Sequence, residues 1–514
     1  MEEADSRGTT VLPEIDTNKS ISITTAGNVK RYYDNWTHVT TNTSILSIVS
    51  EGYSIQFIKK APYLAPVVSN PSSSEKILAL RTQITKHLNT GAISVIKKSA
   101  NQLVSRVFTV KKSNGEDRLI IDLSLLNKFI RKTHFRMENH LTIKSLIQIN
   151  DFLSSIDLAD AFFTIPIHRS SKKYFVFEFD SVRYCYNVLP FGLTSSPRIF
   201  SKMLKPVINY LRCKGIRTSA YLDDIFICSP SASLLKSQLN FTLSLLVSLG
   251  FTPNYSKSHL IPTREIIHLG YSWDSVRMSI SLPKDKILKT KKLASCILTH
   301  DPTLREISKL LGVLVSHATG FPFAPLYYRD LQLQFCSALK TAFSWEQSIV
   351  LKAKAIANIE WWKYCELILP SAPISELQPT ITLSTDASNS GWGGALSSGP
   401  TASGPWSEQE SQHHINYLEL KAIKLCILSF IDHLKDNSIR ILSDNISAVF
   451  YLNKMGGTHS IDMCQLAISI WEILINHNIS IKAEHIPGID NTLADYYSRT
   501  KAITNDYSLC RSGI

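Results

Sequence analysis

The stretch SAYLDDIFIC, residues 219–228, sets Asp223 and Asp224 side by side in an otherwise apolar run. With Tyr221, Leu222, Ile225, Phe226 and Ile227 around them, they read as part of one buried β-strand. A buried ionised carboxylate is costly unless something compensates it, and two adjacent ones repel each other. A metal ion would supply the compensation. Magnesium takes hard oxygen ligands, usually one or two carboxylates together with substrate phosphates. A phosphoryl-transfer site holding two such ions about 3.5–4 Å apart needs a further acid from another strand. The segment SSIDLADAFF supplies it in Asp157, again at the end of an apolar strand and followed by small residues.

A chain of 514 residues suggests three or four domains, and 44% hydrophobic residues suffice to build their cores. No stretch reaches the roughly 18 uninterrupted apolar residues of a membrane span. The polar, acidic start MEEADSRGTTVLPEID does not fit a signal peptide. Nine cysteines stand singly with no C-x-x-C pair, which fits a reducing compartment and argues against a zinc ribbon or a disulfide framework. The net charge of +13 is uneven. Residues 375–514 hold nine Lys+Arg against fourteen Asp+Glu, a net of −5, so residues 1–374 carry +18. That bias points to a polyanionic partner, of which nucleic acid is the commonest, with excess surface lysine as the alternative.

Residues 1–70, rich in Ser, Thr and Asn, read as a partly ordered leader. A helix follows and ends near Gly91; RVFTVKKSNGEDRLIIDL reads as a hairpin. FLSSIDLADAFFTIPI is a strand running into a short helix, and YFVFEFDSVRYCYNVLPFG is a second hairpin turning at Asp180-Ser181. Residues 285–367 look helical. Within them DPTLREISKLLGVLVSHATG places Asp301 as a cap, Pro302 in the first turn and a stop at Gly320. After a linker at 371–380 the pattern alternates: hairpin (381–397), helix (416–431), strand (439–443), helix (446–455), strand (479–485), helix (491–499). No internal repeat is present.

YLDD resembles the Y-x-D-D signature of reverse transcriptases, and it stands in order with four further segments similar to that family. IDLADAFFTIPI resembles the first aspartate motif, VLPFGLTSSPRIFSKML the segment beneath template and nucleotide, GFTPNYSKS the lysine-bearing motif, and IHLGY the primer grip. The resemblance implies that Asp157, Asp223 and Asp224 bind two Mg²⁺ ions (or Mn²⁺) and that Lys257 protonates the leaving pyrophosphate. It implies that Lys112 and Arg118 clamp the triphosphate, with a solvated charge run on a hairpin as the alternative. Phe162 would lie under the deoxyribose and exclude a 2′-hydroxyl; plain core packing is its alternative. Asp160, Ala161, Phe191, Gly192 and Tyr221 would line the nucleotide site. Phe191 departs from the glutamine of retroviral LPQG and matches the retrotransposon form.

Four more acids sit at element ends downstream: Asp386 in TITLSTDASNSGWGGAL, Glu419 in INYLELKAIKLCIL, Asp444 in IRILSDNISAVFYL and Asp495 in AEHIPGIDNTLADYYSR. Their order, D, E, D, D, on this alternation resembles ribonuclease H. That implies a second two-ion site and makes His485 the histidine that assists product departure. GWGGAL, INYLELKA, the tail of HIPGIDNTLADYYSR and the N-terminal AGNVKRYYDNWTHVT…GYSIQF resemble the DIRS and Ngaro retrotransposons. No recombinase or protease motif is present, so a recombinase would be encoded elsewhere in the element.

The expected architecture is therefore α/β and α+β multidomain: a right-hand polymerase followed by a ribonuclease H-like α/β domain. The expected division is 1–70 leader, 71–279 fingers and palm, 280–370 helical thumb, 371–380 linker, 381–500 ribonuclease H-like domain and 501–514 tail, without a separate connection domain. The expected activity is RNA-directed DNA polymerisation with cleavage of RNA–DNA hybrids, in the cytoplasm or nucleus and away from membranes. The partners would be an RNA or DNA template–primer, an RNA–DNA hybrid and dNTPs. A catalytically inert remnant or a host-recruited nucleic-acid-binding protein is the alternative, and retention of all seven acids speaks against it.

Overall fold

The computed structural model describes residues 26–58, 73–111, 115–365, 369–375 and 377–499. Contacts divide the chain into two compact units, the first comprising residues 1–269 and 273–278, the second 270–272 and 279–514. No described helix is long and apolar enough to cross a membrane.

In the first unit a four-stranded antiparallel sheet runs in the order His259–Thr263, Phe152–Asp157, Asp224–Ser229, Arg217–Tyr221. Helices Ser196–Cys213 and Ala232–Ser248 carry the buried apolar faces that belong to the same core. That explains why Ile225–Ser229 is buried without alternation. The strand read through Asp223 and Asp224 is in fact a hairpin. Tyr221 faces Asp224 across the antiparallel pair, and Leu222-Asp223 forms the connection with Leu222 at φ 54°. A two-residue connection needs a positive φ to match the twist of its strands, so Leu222 takes a strained conformation costing about 1 kcal/mol or more. The acids thus stand at a hairpin tip, where they reach solvent.

A second sheet orders Ile93–Ile96, Val182–Tyr186, Val176–Phe179 and Val104–Ser105. Its Val176–Phe179/Val182–Tyr186 hairpin turns at Asp180-Ser181 with both φ values positive (49° and 60°), as the polar dipeptide suggests. Val107–Lys111 pairs with Asp117–Ile121 as a separate hairpin. Part of the stretch read as a leader is core: Trp36, on Tyr33–Val39, is fully buried and its Nε1 donates to the Leu249 carbonyl at 3.0 Å. Residues 1–25 and 59–70 of that stretch, and the tail at 501–514, lie outside the described residues.

In the second unit, helices Lys284–Ile297, Leu304–His317, Arg329–Leu339 and Ala353–Tyr364 pack around Leu310, Leu314, Phe321 and Trp362. The cap of Leu304–His317 is Thr303, not Asp301, and Pro302 precedes it. Thr303 and Glu306 form a reciprocal capping box, the Thr303 N–H donating to Glu306 Oε2 at 2.8 Å. That box satisfies two otherwise orphaned donors, and an aspartate two residues earlier has no equivalent geometry. The segment read as a linker is tied down by Ala372–Pro373, which pairs with Ser279 and Ile280.

The rest of this unit is a five-stranded sheet in the order Thr401–Pro405, Gly391–Leu396, Ile381–Ala387, Ser438–Ser443, Ser480–His485. The first three strands are antiparallel; the last two run parallel to Ile381–Ala387. Helices Ile415–Ser429, Ile446–Asn453, Ile461–Asn476 and Thr492–Arg499 accompany it. Helix Ile461–Asn476 and strand Thr401–Pro405 were not expected from the sequence. The helix had a legible signal, the Ser460 cap and an apolar run to Leu474; the strand, five small residues without an apolar alternation, had none.

Candidate active sites

The first site lies where the Phe152–Asp157 strand meets the hairpin tip. The register sets Asp157 opposite Asp224, and the Leu158 N–H donates to the Asp223 carbonyl at 3.0 Å. Side chains directly opposite on antiparallel strands share a face, so like charges there destabilise each other unless compensated. Burial pushes the Asp224 carboxyl up to about 6, and the neighbouring Asp223 and Asp157 charges add to the rise. Burial likewise raises Asp157, with Asp223 contributing. Lys257, exposed in the following turn, acts in the opposite sense on both acids. Their tightest oxygens do not form a single cluster of three within 4.8 Å; among the described residues that closeness is reached only in the second site.

Two features of this site were not read from the sequence. The backbone N–H of Asp157 donates to Ser258 Oγ at 3.0 Å, and the Asp157 carbonyl accepts from the Asn254 N–H at 2.7 Å, which links the strand end to the lysine-bearing turn. On the hairpin, the Ala220 N–H donates to Glu138 Oε2 at 3.1 Å, and Arg212 Nη2 donates to the same oxygen at 2.9 Å. Glu138 and Ala220 are far apart in sequence, and no local pattern announces the pair.

Around this site, Phe162 is half-buried against Phe191 and Phe200, with ring centroids 5.4 and 5.7 Å apart. The Arg118 guanidinium carbon lies 4.4 Å from the Phe191 ring centroid, a cation–π contact that holds the fork above the ring. Asp160 adopts a left-handed conformation (φ 45°) at the start of the turn Ala161–Thr164, and Ala161 is buried. Gly192 has φ 104°, and a Cβ there would collide with the Ile121 carbonyl oxygen; its own carbonyl accepts from Asn127 Nδ2 at 2.8 Å. Asp160, Arg118 and Phe191 line one cleft. Tyr221 is half-buried beside the acids. Lys112 lies outside the described residues.

At the second site, Asp386 ends the Ile381–Ala387 strand, Glu419 sits on Ile415–Ser429, and Asp444 follows Ser438–Ser443. One oxygen from each lies within 4.8 Å of the others. Asp386 and Glu419 are both only 4% exposed. Burial, reinforced by Asp386 and Asp444, pushes the Glu419 carboxyl up to about 9. Burial also raises Asp386, against the Ser498 hydroxyl that donates to its Oδ2 at 2.6 Å. Glu419 Oε2 is buried without a hydrogen-bond partner. A buried acceptor left unpaired costs about 1–3 kcal/mol, and a cation held by the three acids would remove that cost. The donor set therefore fits a divalent metal ion.

Asp495 stands apart from this trio. Its Oδ1 accepts from Arg499 Nε at 2.7 Å and lies 2.6 Å from Nη2 in an ion pair, although its charge still reaches Asp386. Ser498 and Arg499 were missed in the sequence, where the Asp-to-Arg spacing of four on a helix was the available signal. His485 is exposed at the end of its strand, opposite Ser443.

Comparison with known proteins follows this geometry. Residues 110–273 match the family model described as reverse transcriptase (RNA-dependent DNA polymerase). The enzymatic polyprotein of figwort mosaic virus is 24% identical over 422 residues, 79% of this chain and 60% of that protein. That of cauliflower mosaic virus (strain Strasbourg) is 24% identical over 79% of this chain and 59% of that protein. The Gag-Pro-Pol polyprotein of human T-cell leukemia virus 2 is 32% identical over 198 residues, 37% of this chain and 13% of that protein. The chain thus spans under two thirds of the length of these relatives. In fold it is similar to the foamy viral protease-reverse transcriptase solved in complex with dsDNA, with a TM-score of 0.55 at 17% identity over 91% of this chain and 99% of that one. The same foamy viral protein in complex with an RNA/DNA hybrid gives a TM-score of 0.51.

Proposed function

From a chain whose residues 110–273 carry a reverse transcriptase domain, we propose an RNA-directed DNA polymerase with an attached ribonuclease H. The supporting observation is that Asp157 faces Asp224 across a strand pair, next to the hairpin connection that carries Asp223, while Arg118, Asp160 and Phe191 line a cleft in the same unit. Asp157, Asp223 and Asp224 would hold divalent cations, Mg²⁺ or Mn²⁺, at one site, and Asp386, Glu419 and Asp444, with Asp495 nearby, at the other. Such cations supply charge neutralisation of phosphate oxygens and a nucleophile at neutral pH. Arg118, together with Lys112, would fix the triphosphate, and Lys257, whose charge acts on Asp157 and Asp224, would pass a proton to the departing pyrophosphate. Phe162 carries the sugar. The template–primer, the RNA–DNA hybrid and dNTPs are the substrates. Origin in a DIRS- or Ngaro-like element, with its recombinase encoded elsewhere, is supported by the terminal segments quoted above. Primer extension with dNTPs on a homopolymer RNA template tests the reading; no extension with either cation would refute it.

Phe162→Val opens the space that a ribose 2′-hydroxyl would occupy, so ribonucleotide incorporation rises relative to deoxynucleotide. Single-nucleotide kinetics with paired dNTP and rNTP measures the ratio, and an unchanged ratio would assign Phe162 to core packing alone.

Glu419 makes stability depend on pH when divalent cations are removed. The folded protein holds a proton up to about pH 9 that the unfolded chain releases near its ordinary value of 4.5. Its contribution is therefore complete below pH 4.5 and is lost as pH rises toward 9. In chelator, melting should fall by several degrees between pH 6 and 8.5, Glu419→Gln should flatten the slope, and added Mg²⁺ should restore the parent at pH 8.5. A slope that Glu419→Gln leaves unaltered would contradict the assignment.

A further inference from the structure

We infer that Lys86, on the Ser74–Asn89 helix, binds the terminal phosphates of the incoming nucleotide; this rests on the polymerase reading of the first site. The cleft that contains Arg118, Asp160 and Phe191 is also lined by Asp117, Gln83 and Lys86. Leu80, Ile84 and His87 bury one face of the helix, which fixes its position. Gln83 and Lys86, three residues apart, fall on a neighbouring face and line the cleft.

The charges in the cleft are unspent. Among the described residues no ion pair engages Lys86, Arg118, Asp117 or Asp160. Lys86 and Arg118 are exposed cations that line one concave surface, where they can attract a polyanion. Arg118 is already held over Phe191, a residue of the proposed nucleotide site. Lys86 enters from a different element, so the two cations grip a chain of phosphates at two points. Arg118 takes the inner phosphates with its fork, and Lys86 takes the outer, most highly charged end as a point charge. The acids Asp117 and Asp160 in the same cleft set a limit, since they repel a bare polyphosphate and favour one already carrying cations.

A lysine in the last turn of a helix has a plainer use, because a cation there interacts favourably with the helix dipole. The two roles separate by measurement. Calorimetric titration of the whole protein with tripolyphosphate in Mg²⁺ reads the site without polymerisation. Lys86→Gln should weaken tripolyphosphate by about tenfold, the loss of one charge-assisted contact, while Lys86→Arg keeps most of the affinity. In primer extension the KM for dNTP should rise by a similar factor with kcat unchanged. No binding of tripolyphosphate by the parent protein, or equal binding by Lys86→Gln, overturns the inference. So does a lowered melting temperature with unaltered KM, which is the helix-end role. A parent protein that binds tripolyphosphate but extends no primer refutes the polymerase reading and leaves the Lys86 site standing. One that extends primers with the same KM in Lys86→Gln refutes Lys86 alone.

Discussion

Asp223→Asn should extend a primer on an RNA template slower by about three powers of ten or more, while cleavage of an RNA–DNA hybrid continues at the parent rate. The substitution keeps the side chain's shape and the Asp223 carbonyl that accepts from Leu158, so the hairpin tip persists. What it removes is one full negative charge that adds to the rise burial imposes on the Asp224 and Asp157 carboxyls. Charge stabilisation by metal is worth several kcal/mol at the transition state, and each 1.36 kcal/mol is a factor of about ten in rate. Asp223 also adds to the rise that burial imposes on Asp224, so Asp224 in the variant should ionise at lower pH than the parent's value of about 6. Primer extension at near the parent rate would remove the hairpin tip from the chemistry.

The second large effect is expected at Glu419 and Asp444. Glu419→Gln or Asp444→Asn should abolish release of labelled RNA from a hybrid, since each takes one ligand from a trio that has no fourth acid within the same 4.8 Å cluster. Asp495 is occupied by Arg499 and does not replace the lost ligand at once. His485→Ala should slow turnover less, because this exposed side chain lies outside the cluster and its proposed part is product departure. None of the three should lower extension of a DNA-templated primer, where no hybrid needs clearing. Full hybrid cleavage by either carboxylate variant would sink the ribonuclease H assignment. A matching fall in both assays would point instead to misfolding.

Much of the local structure was legible because it is written in short spacings. The Asp180-Ser181 turn and the alternation after residue 380 depend on residues a few positions apart, and chemistry at that range acts before tertiary contacts form. The reading failed where two local signals competed. Asp301-Pro302 looked like a helix start, yet Thr303 and Glu306 satisfy each other's backbone donors and took the cap. Apolar neighbours made YLDD look like one strand, although a hairpin needs only two residues to reverse it, and Leu222 accepted a conformation that its side chain disfavours.

By itself the sequence determined which acids exist and that Asp157, Asp386 and Asp444 fall at or beside strand ends, whereas the expectation of element ends fails for Glu419 and Asp495, which lie within helices. Only the tertiary structure decided which of them meet. Asp157 faces Asp224 through a strand register spanning 67 positions, and Glu138 braces the hairpin at Ala220 across 82. Asp386, Glu419 and Asp444 converge because a parallel strand pair and a helix deliver them to one point, while Asp495, equally prominent in the sequence, turns to Arg499 on its own helix. The physical reason is that proximity of side chains within an ångström is set by sheet register and helix packing between distant segments. Those are properties of the whole core, which no short stretch of residues encodes.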